Sequence, residues 1–307
     1  MHAGATCLYA GGMDTLTDLL PPAPIAPGLY IVSTPIGNLE DVTLRALRIL
    51  RDANAIACED TRTTLRLVQR YGLCRTLLPY HEHNARQALP GILRRLADGE
   101  AVALVSDAGT PLVSDPGYRL VEAALDAGHP VVPIPGPSAM LAGLVAAGLP
   151  TDRFFFAGFL PNRQAARRAA LEELAAVPGT LVFYEAPGRA ADTLADIAAV
   201  LGDRPACLAR ELTKRFEEWR RGAASELAAG AAAEPPRGEC VIMVAPPSAE
   251  SQAVALADID AMLRAALTHD SVRDAAAAVA EATGQKRRQV YARALELAKA
   301  LAEPPDR

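Results

Sequence analysis

The sequence predicts an α/β protein: one α/β domain over residues 27–148, a second over 149–247, and a helical appendage over 253–303. Three observations carry this. From Gly28 to Ala147, short apolar runs end in turns and polar loops and pass into helical patterns, as strands joined by crossover helices in a largely parallel sheet do. After the linker Pro150-Thr151-Asp152 the same elements return with less strict alternation, which points to a mixed sheet. Beyond Pro246-Pro247, from about Ala257, apolar residues recur only at helical spacing.

In the first domain Leu29–Ser33 is an apolar strand, and Thr34-Pro35-Ile36-Gly37-Asn38 is punctuated as a turn. The next helix carries Leu44, Leu47, Ile49 and Leu50, with Asp41 or Thr43 as its cap. Ala55–Cys58 is a strand that ends at Glu59-Asp60-Thr61-Arg62. Thr64–Tyr71 is helical and Gly72 stops it. Leu77–Tyr80 precedes His81-Glu82-His83-Asn84 and a helix to about Ala97. Ala101–Val105 runs into Ser106-Asp107-Ala108-Gly109-Thr110-Pro111, and Tyr118–Ala127 is helical. Val131–Ile134 ends at Pro135-Gly136-Pro137-Ser138 before a helix to about Ala147. Ligands of parallel sheets bind at the carboxyl ends of strands. Four loops of unusual composition fall at such ends.

In the second domain Phe154–Phe159, Thr180–Tyr184, Ala206–Ala209 and Glu239–Val244 read as strands, and Arg163–Leu174 and Ala191–Leu201 as helices. In the appendage an Ala-rich helix from Asp274 to Thr283 is broken by Gly284, and a second runs from Lys286 to about Leu301. A short pair around a Gly turn is either helix-turn-helix-like or a plain helical hairpin. Lys286-Arg287-Arg288 favours a nucleic-acid role, because cations at a helix start oppose the macrodipole unless an anion offsets them.

Half of the 307 residues are hydrophobic, enough for a sizeable core. The formal net charge of -5 argues against non-specific coating of nucleic acid, though not against a local basic face. Lysine occurs only at Lys214, Lys286 and Lys299; the Arg and Ala bias reads as codon usage. Cys7, Cys58, Cys74, Cys207 and Cys240 form no C-x-x-C pair, so neither a disulfide framework nor a structural zinc site is expected. Met1–Asp14 lacks the pattern of a signal peptide and no apolar run reaches membrane-spanning length, which predicts a cytoplasmic protein. Residues 1–26 read as a disordered tail, and translation from Met13 is an alternative to Met1.

G-x-G-x-x-G, the Walker pattern and G-x-S-x-G are missing, which disfavours the dinucleotide fold and the common Rossmann-like methyltransferases. His81 and His83 stand two apart, whereas the zincin helix needs four, so a polar loop is expected rather than a metal site. Asp107, at a strand end, suits a ligand amine or hydroxyl, and Gly109 allows close backbone approach. Ser138 suits a helix cap.

Thr34-Pro35-Ile36-Gly37-Asn38-Leu39, Glu59-Asp60-Thr61-Arg62, Tyr80-His81-Glu82-His83-Asn84, Ser106–Pro111 with Ser114-Asp115-Pro116-Gly117, Pro133–Ser138, and Phe183-Tyr184-Glu185 occur in that order. Together they resemble the ribosomal RNA small-subunit methyltransferase I family of the tetrapyrrole methylase (class III) superfamily, over about residues 28–246 and into the C-terminal helices. The resemblance implies the tetrapyrrole methylase fold, with S-adenosyl-L-methionine in a cleft between the α/β domains. It also implies 2′-O-methylation of a decoding-centre cytidine in 16S ribosomal RNA, a 30S subunit or its RNA as partner, and a homodimer. For the cofactor it implies Pro35, Ile36, Gly37, Asp107, Ala108, Gly109, Thr110, Pro111, Ser138, Ala139, Phe183, Tyr184 and Glu185, with backbone near Leu208 and Gly238. Ala186 and Gly188 stand where members often carry Ser and His.

A ribose hydroxyl is a poor nucleophile at neutral pH, so a base or a cationic stabiliser is expected among polar residues at strand ends. Glu59, Asp60 and Arg62 form one cluster, His81 and His83 a second, and Glu185 with Arg210, Glu211 and Lys214 a third; Glu59, Asp60, Arg62 and His81 are the catalytic candidates. Arg163, Arg167 and Arg168, and Lys286, Arg287 and Arg288 with Arg293, are the candidate RNA contacts. A small-molecule methyltransferase and a non-catalytic RNA-binding protein of the same fold are the competing readings.

Overall fold

The structure is a computed structural model describing residues 24–248, 259–283 and 287–302. Residues 1–23 of the tail expected over 1–26, the choice between Met1 and Met13, Cys7, and Gly284–Lys286 lie outside the described residues; of the rest of that tail, Ile25 packs on the core and the Ala26 carbonyl accepts from the Tyr30 hydroxyl. The chain divides into two compact units, one ending at Pro246 and the other beginning at Pro247.

The first unit holds two sheets. Strands β1 (Gly28–Val32), β2 (Ala55–Cys58), β3 (Thr76–Pro79), β4 (Ala101–Val105) and β5 (Val131–Ile134) pair in the order β3-β2-β4-β1-β5. All of these pairings are parallel. Helices α1 (Leu44–Asp52), α2 (Thr61–Arg70), α3 (Ala85–Ala97), α4 (Tyr118–Asp126) and α5 (Ala139–Ala146) follow the successive strands. The period of two along the strands divides the core. Tyr30, Val32, Ile56 and Cys58 pack with Leu47, Leu50, Leu67 and Val68 on one face. Leu29, Ala57, Val102 and Leu104 pack with Ile92, Leu96, Leu120 and Ala124 on the other. Central strands covered on both faces need apolar residues throughout, and every residue of β2 and β4 is buried. Thr43, rather than Asp41, caps α1 by accepting from the Ala46 N–H.

The strand order sets the site. From β1 the chain crosses to β2 on one side of the β1–β4 pair; from β4 it crosses to β5 on the other. Neighbouring strands whose connections diverge leave a crevice at their carboxyl ends.

Strands β6 (Phe154–Phe159), β7 (Thr180–Glu185), β8 (Pro205–Arg210), β9 (Glu218–Ala223) and β10 (Cys240–Val244) form a second sheet, ordered β6-β7-β10-β8-β9. Only the β6–β7 pair is parallel, so this sheet is mixed, as expected. On one face Phe183, Leu208 and Ile242 pack against α6 (Gln164–Leu174), α7 (Ala190–Leu201) and α8 (Ala224–Ala233) through Leu171, Leu194 and Leu227. The other face meets α5: Val182, Cys207, Val241 and Met243 pack with Leu144 and Ala147. Gly143 permits this approach, since a Cβ there would lie 3.1 Å from the Met243 sulfur and 3.2 Å from Val241 Cγ1. Of the helix sequence AMLAGLVA only Gly143 and Leu144 are buried, against the second sheet, while Leu141 and Val145 stay exposed.

In the second unit, residues 259–267 are helical (α9), followed by α10 (Val272–Thr283) and α11 (Arg287–Ala302). Leu263, Ala276, Val279, Val290, Ala294 and Leu297 form its core. Arg293 closes a pair with Asp260 at 2.6 Å and another with Glu296, so it braces these helices instead of standing free with Arg287 and Arg288. Among the described residues, no helix is long and apolar enough to cross a membrane.

Candidate active site

The crevice at β1 and β4 is walled by the second sheet. Its strand ends converge there, because Cys240 at the start of β10 pairs with both Glu185, the end of β7, and Arg210, the end of β8. Between the sheets lies a cavity of ≈ 380 Å³, lined by Ile36, Ala108–Thr110, Val113–Asp115, Ser138, Ala139, Phe159, Tyr184–Pro187 and Gly238–Val241. Its size suits a small-molecule cofactor, and its wall is mostly apolar with a few polar groups.

Backbone pairing fixes the loops of this wall. Thr34 and Gly109 exchange hydrogen bonds, the Thr34 N–H donating at 2.8 Å and the Gly109 N–H at 3.0 Å. Ser33 Oγ lies 2.9 Å from Thr110 Oγ1, and that hydroxyl donates to the Pro137 carbonyl at 3.2 Å, so the loops after β1, β4 and β5 are tied together. Gly109 has φ +78°, and a Cβ there would lie 3.4 Å from Ile36 Cγ2. A residue with a side chain would be strained in this left-handed region, with its Cβ in contact with the cavity wall.

From the second sheet, Tyr184 stacks edge-on against Phe156 and Phe159, and its hydroxyl accepts from the Met140 N–H at 3.1 Å. Burial raises its phenol above the usual range. Glu185 has a fully buried side chain that accepts from Arg189 Nε at 2.7 Å, Arg189 Nη2 at 2.9 Å, Thr193 Oγ1 at 2.6 Å and the Ala186 N–H at 2.8 Å. It is a brace for the cavity floor with no acceptor capacity to spare for a base's role.

Of the residues expected at the cofactor, Ile36, Ala108, Gly109, Thr110, Ser138, Ala139, Tyr184, Glu185 and Gly238 line this cavity. Pro35, Gly37 and Asp107 instead line an adjoining one of ≈ 520 Å³ with Arg66 and Lys214, and Ile36, Ala108 and Glu239 are common to both. One Asp107 oxygen is taken by the Asp60 N–H at 3.0 Å. Phe183 and Leu208 point into the core, leaving only their backbone for a ligand, and Pro111 is buried.

A third cavity, also ≈ 520 Å³, is lined by Glu59, Tyr80–His83, Ala85 and Ser114–Arg119. It shares Ser114 and Asp115 with the first. Burial raises the Glu59 carboxyl, Asp107 adds to the shift, and His81 opposes it. Asp115 is pushed up to about 6 by burial and by the charges of Glu59 and Asp107, with Ser106 opposing. His81 Nδ1 is buried with no hydrogen-bond partner among the described residues.

The structure corrects two catalytic candidates and one RNA contact. Asp60 caps α2 and grips Arg62 at 2.6 Å, and the Arg62 side chain is 86% exposed. That pairing holds the Asp60 carboxyl at about 2, far too weak a base at neutral pH. Neither residue lines the three cavities. Asp60→Ala should therefore lower stability slightly, as the loss of a helix cap does, and slow transfer no more than about threefold; urea melts and initial rates check both. Arg167 is 4% exposed, paired with Asp196 at 2.7 Å and donating to the Asn162 carbonyl, so it is a buried brace out of reach of phosphate. Arg168 shares Asp196 but keeps an exposed side chain, and Arg163 is exposed. Asp115, Phe159 and Glu239 are lining residues that sequence reasoning left unassigned; the only sequence signal for Asp115 is its place in the Ser114–Gly117 run.

The fold and cleft define a class, the tetrapyrrole methylases. Residues 28–228 match the family described as Tetrapyrrole (Corrin/Porphyrin) Methylases, and 253–298 match the RsmI C-terminal HTH domain. Among solved structures, uroporphyrin-III C-methyl transferase from Thermus thermophilus, complexed with S-adenyl homocysteine, is 23% identical. It superposes with a TM-score of 0.51, covering 71% of this chain and 97% of that one, and shows the shared fold. Proteins named ribosomal RNA small subunit methyltransferase I are much more similar. That of Mesorhizobium japonicum is 52% identical over 280 residues, 91% of this chain and 95% of the relative. That of Pseudomonas aeruginosa is 47% identical over 276 residues, 87% and 96% of the two. The chain belongs to the ribosomal RNA small subunit methyltransferase I family, and it is an S-adenosylmethionine-dependent methyltransferase.

Proposed function

We propose that this methyltransferase acts on 16S ribosomal RNA, free or within the 30S subunit, and methylates the 2′-hydroxyl of one decoding-centre cytidine as a cytoplasmic homodimer. The observation that carries a two-substrate reading is the pair of cavities sharing Ser114 and Asp115. One is small and mostly apolar and suits the methyl donor. The other is ringed by ionisable side chains and suits a polar acceptor. The names of the relatives supply the RNA.

Ile36, Ala108–Thr110, Ser138, Ala139 and Tyr184 would hold S-adenosylmethionine. The backbone approach at Gly109 and the ≈ 380 Å³ volume fit such a ligand. When bound, it supplies a methyl group already activated on a positively charged sulfur, so the protein's task is orientation and charge. Glu185 and Arg189 fix the floor, and the tied loops after β1, β4 and β5 fix the wall. Arg163, Arg168, Arg287 and Arg288 are the exposed cations left for phosphates, and Lys286 lies outside the described residues.

Purified enzyme, methyl-labelled S-adenosylmethionine, and either 30S subunits or free 16S RNA should give label on the ribose of one cytidine. Binding should weaken steeply with salt. Label on a base, or tight donor binding with no label on either RNA, moves the acceptor to another nucleic-acid position or to a small molecule.

A further inference from the structure

The segment between β8 and β9 carries Glu211 and Lys214, a polar pair that the donor cavity leaves unexplained, since neither side chain lines it. The segment is not a passive connection. Each of these two side chains fills the place that a Cβ would take on a glycine, and the two glycines belong to different sheets' elements.

At one end the Lys214 stem lies across Gly37, in the loop after β1. A Cβ on Gly37 would overlap Lys214 Cγ and lie 2.8 Å from Cε and 3.1 Å from Cδ. At the other end the Glu211 side chain lies across Gly238, two residues before β10. A Cβ on Gly238 would overlap the Glu211 carboxyl and lie 2.6 Å from its Cγ. The ends are joined by charge: Lys214 Nζ donates to Glu211 Oε1 at 2.8 Å and to Glu239 Oε2 at 3.0 Å. The backbone joins them too. The Glu211 N–H donates to the Glu239 carbonyl at 2.9 Å, and the Glu239 N–H donates back to Glu211 Oε1 at 3.2 Å. Between the two, Leu212 is buried in the same apolar cluster as Ile36.

These contacts bear on the donor cavity from both sides. Ile36, the neighbour of Gly37, lines it from the first sheet, and Gly238 and Glu239 line it from the second. We propose that Glu211 and Lys214 are positioning residues for the methyl donor, a strap that holds these two parts of the wall at the separation the donor needs; the assignment rests on reading this cavity as the donor site.

The strap also accounts for Gly37. Expected at the cofactor, Gly37 lines the adjoining cavity instead, because the lysine stem occupies the space over it. Lys214 is equally unsuited to holding a phosphate. Its ammonium is engaged by two carboxylates and its stem by a glycine. Burial disfavours the Lys214 charge, but the hydrogen bonds to Glu211 and Glu239 outweigh burial and raise the ammonium above its usual range. Side chains spent on holding two elements together act on a ligand through the shape of its site, which alters affinity before it alters the chemical step.

The test is a double-mutant cycle read by calorimetric titration with S-adenosylhomocysteine, with thermal melts to confirm folding. Lys214→Ala removes the stem and Gly37→Ala displaces it, so each should weaken binding by about 5- to 30-fold. The double variant should bind no more weakly than the weaker single, because a methyl group on residue 37 has room once the stem is gone. Lys214→Arg, which keeps both stem and charge, should stay within about threefold of wild type. Single-turnover transfer to 30S subunits at saturating S-adenosylmethionine should stay within about threefold in every variant, a split between affinity and rate that general loss of structure does not give. Single variants that bind like wild type overturn the strap, as do single effects that multiply in the double variant, or a rate that saturating donor does not restore. The affinity measurements need no acceptor, so they decide the point whichever RNA or small molecule is methylated. Gly109→Val, which strains the same cavity from the loop after β4, separates the remaining cases. If it weakens binding while the strap variants do not, only the strap fails; if it too binds normally, the donor sits elsewhere and both readings fall.

Discussion

Gly109→Val should weaken S-adenosylmethionine binding by roughly 30- to 150-fold, a strain of about 2–3 kcal/mol expressed at the cavity wall. Gly109 sits at φ +78°, where a β-branched side chain is strongly disfavoured, and a valine would add its methyl groups to a Cβ already in contact with Ile36 Cγ2 at 3.4 Å. The strain has two outlets. The loop after β4 can shift, carrying Ala108 and Thr110 with it, or the paired hydrogen bonds with Thr34 can break, releasing Ile36. Either outlet displaces residues that line the cavity, and neither reaches the sheet core, so folding survives while affinity falls. Calorimetric titration of the variant, with far-UV circular dichroism as a check on the fold, measures this. Affinity within about threefold of wild type would show that the donor sits elsewhere.

Most of this architecture is legible in the sequence because its signals are local. The strands of the first sheet are near-continuous apolar runs, since helices cover both faces, and the turns after β1, β4 and β5 carry visible Gly and Pro residues. The strand β9 is not legible. Its residues Glu218-Trp219-Arg220-Arg221 look like a solvated surface, and they are a strand because β8 pairs with them and Arg210 meets Glu218 at 2.6 Å. Helix α8 is hidden for another reason: only Ala224, Leu227 and Ala231 are buried, a faint stripe in a run of alanines. The site shows the same division. Gly109 and Ser138 announce themselves by residue type at strand ends. Asp60 and Arg62 do so equally, yet pair with each other, because a carboxylate two residues before an arginine at a helix start is already in capping position. Arg167 reads as a surface cation until Asp196, 29 residues away, buries it. Asp115 needs three-dimensional information: the wall shared by two cavities is invisible in one dimension.

Glu185→Ala should destabilise the first unit by about 3 kcal/mol, lowering the melting temperature by about 6–12 °C, and weaken donor binding as well. The carboxylate is fully buried, and its removal strands Arg189, whose side chain is 24% exposed, together with the Thr193 hydroxyl and the Ala186 N–H. Leaving one member of a buried ion pair costs more than the pair contributed, because the survivor keeps its desolvation penalty. Partial solvent access for the guanidinium keeps the figure at the lower end of the range. Arg189 also donates to the Leu160 carbonyl at 2.9 Å, so a displaced guanidinium loosens the chain that follows Phe159, a residue of the donor cavity. Glu185→Gln separates the two effects. It keeps the shape and one acceptor oxygen, so it should recover at least half of the lost stability while remaining weaker than wild type, since the hydrogen bonds are no longer charge-assisted. Differential scanning calorimetry, with and without S-adenosylhomocysteine, reads both quantities. If Glu185 instead acted as the base, the Gln variant would melt near wild type, bind normally and transfer no methyl group. The four hydrogen bonds it accepts argue for the opposite pattern, in which stability and donor affinity recover together and the rate follows them.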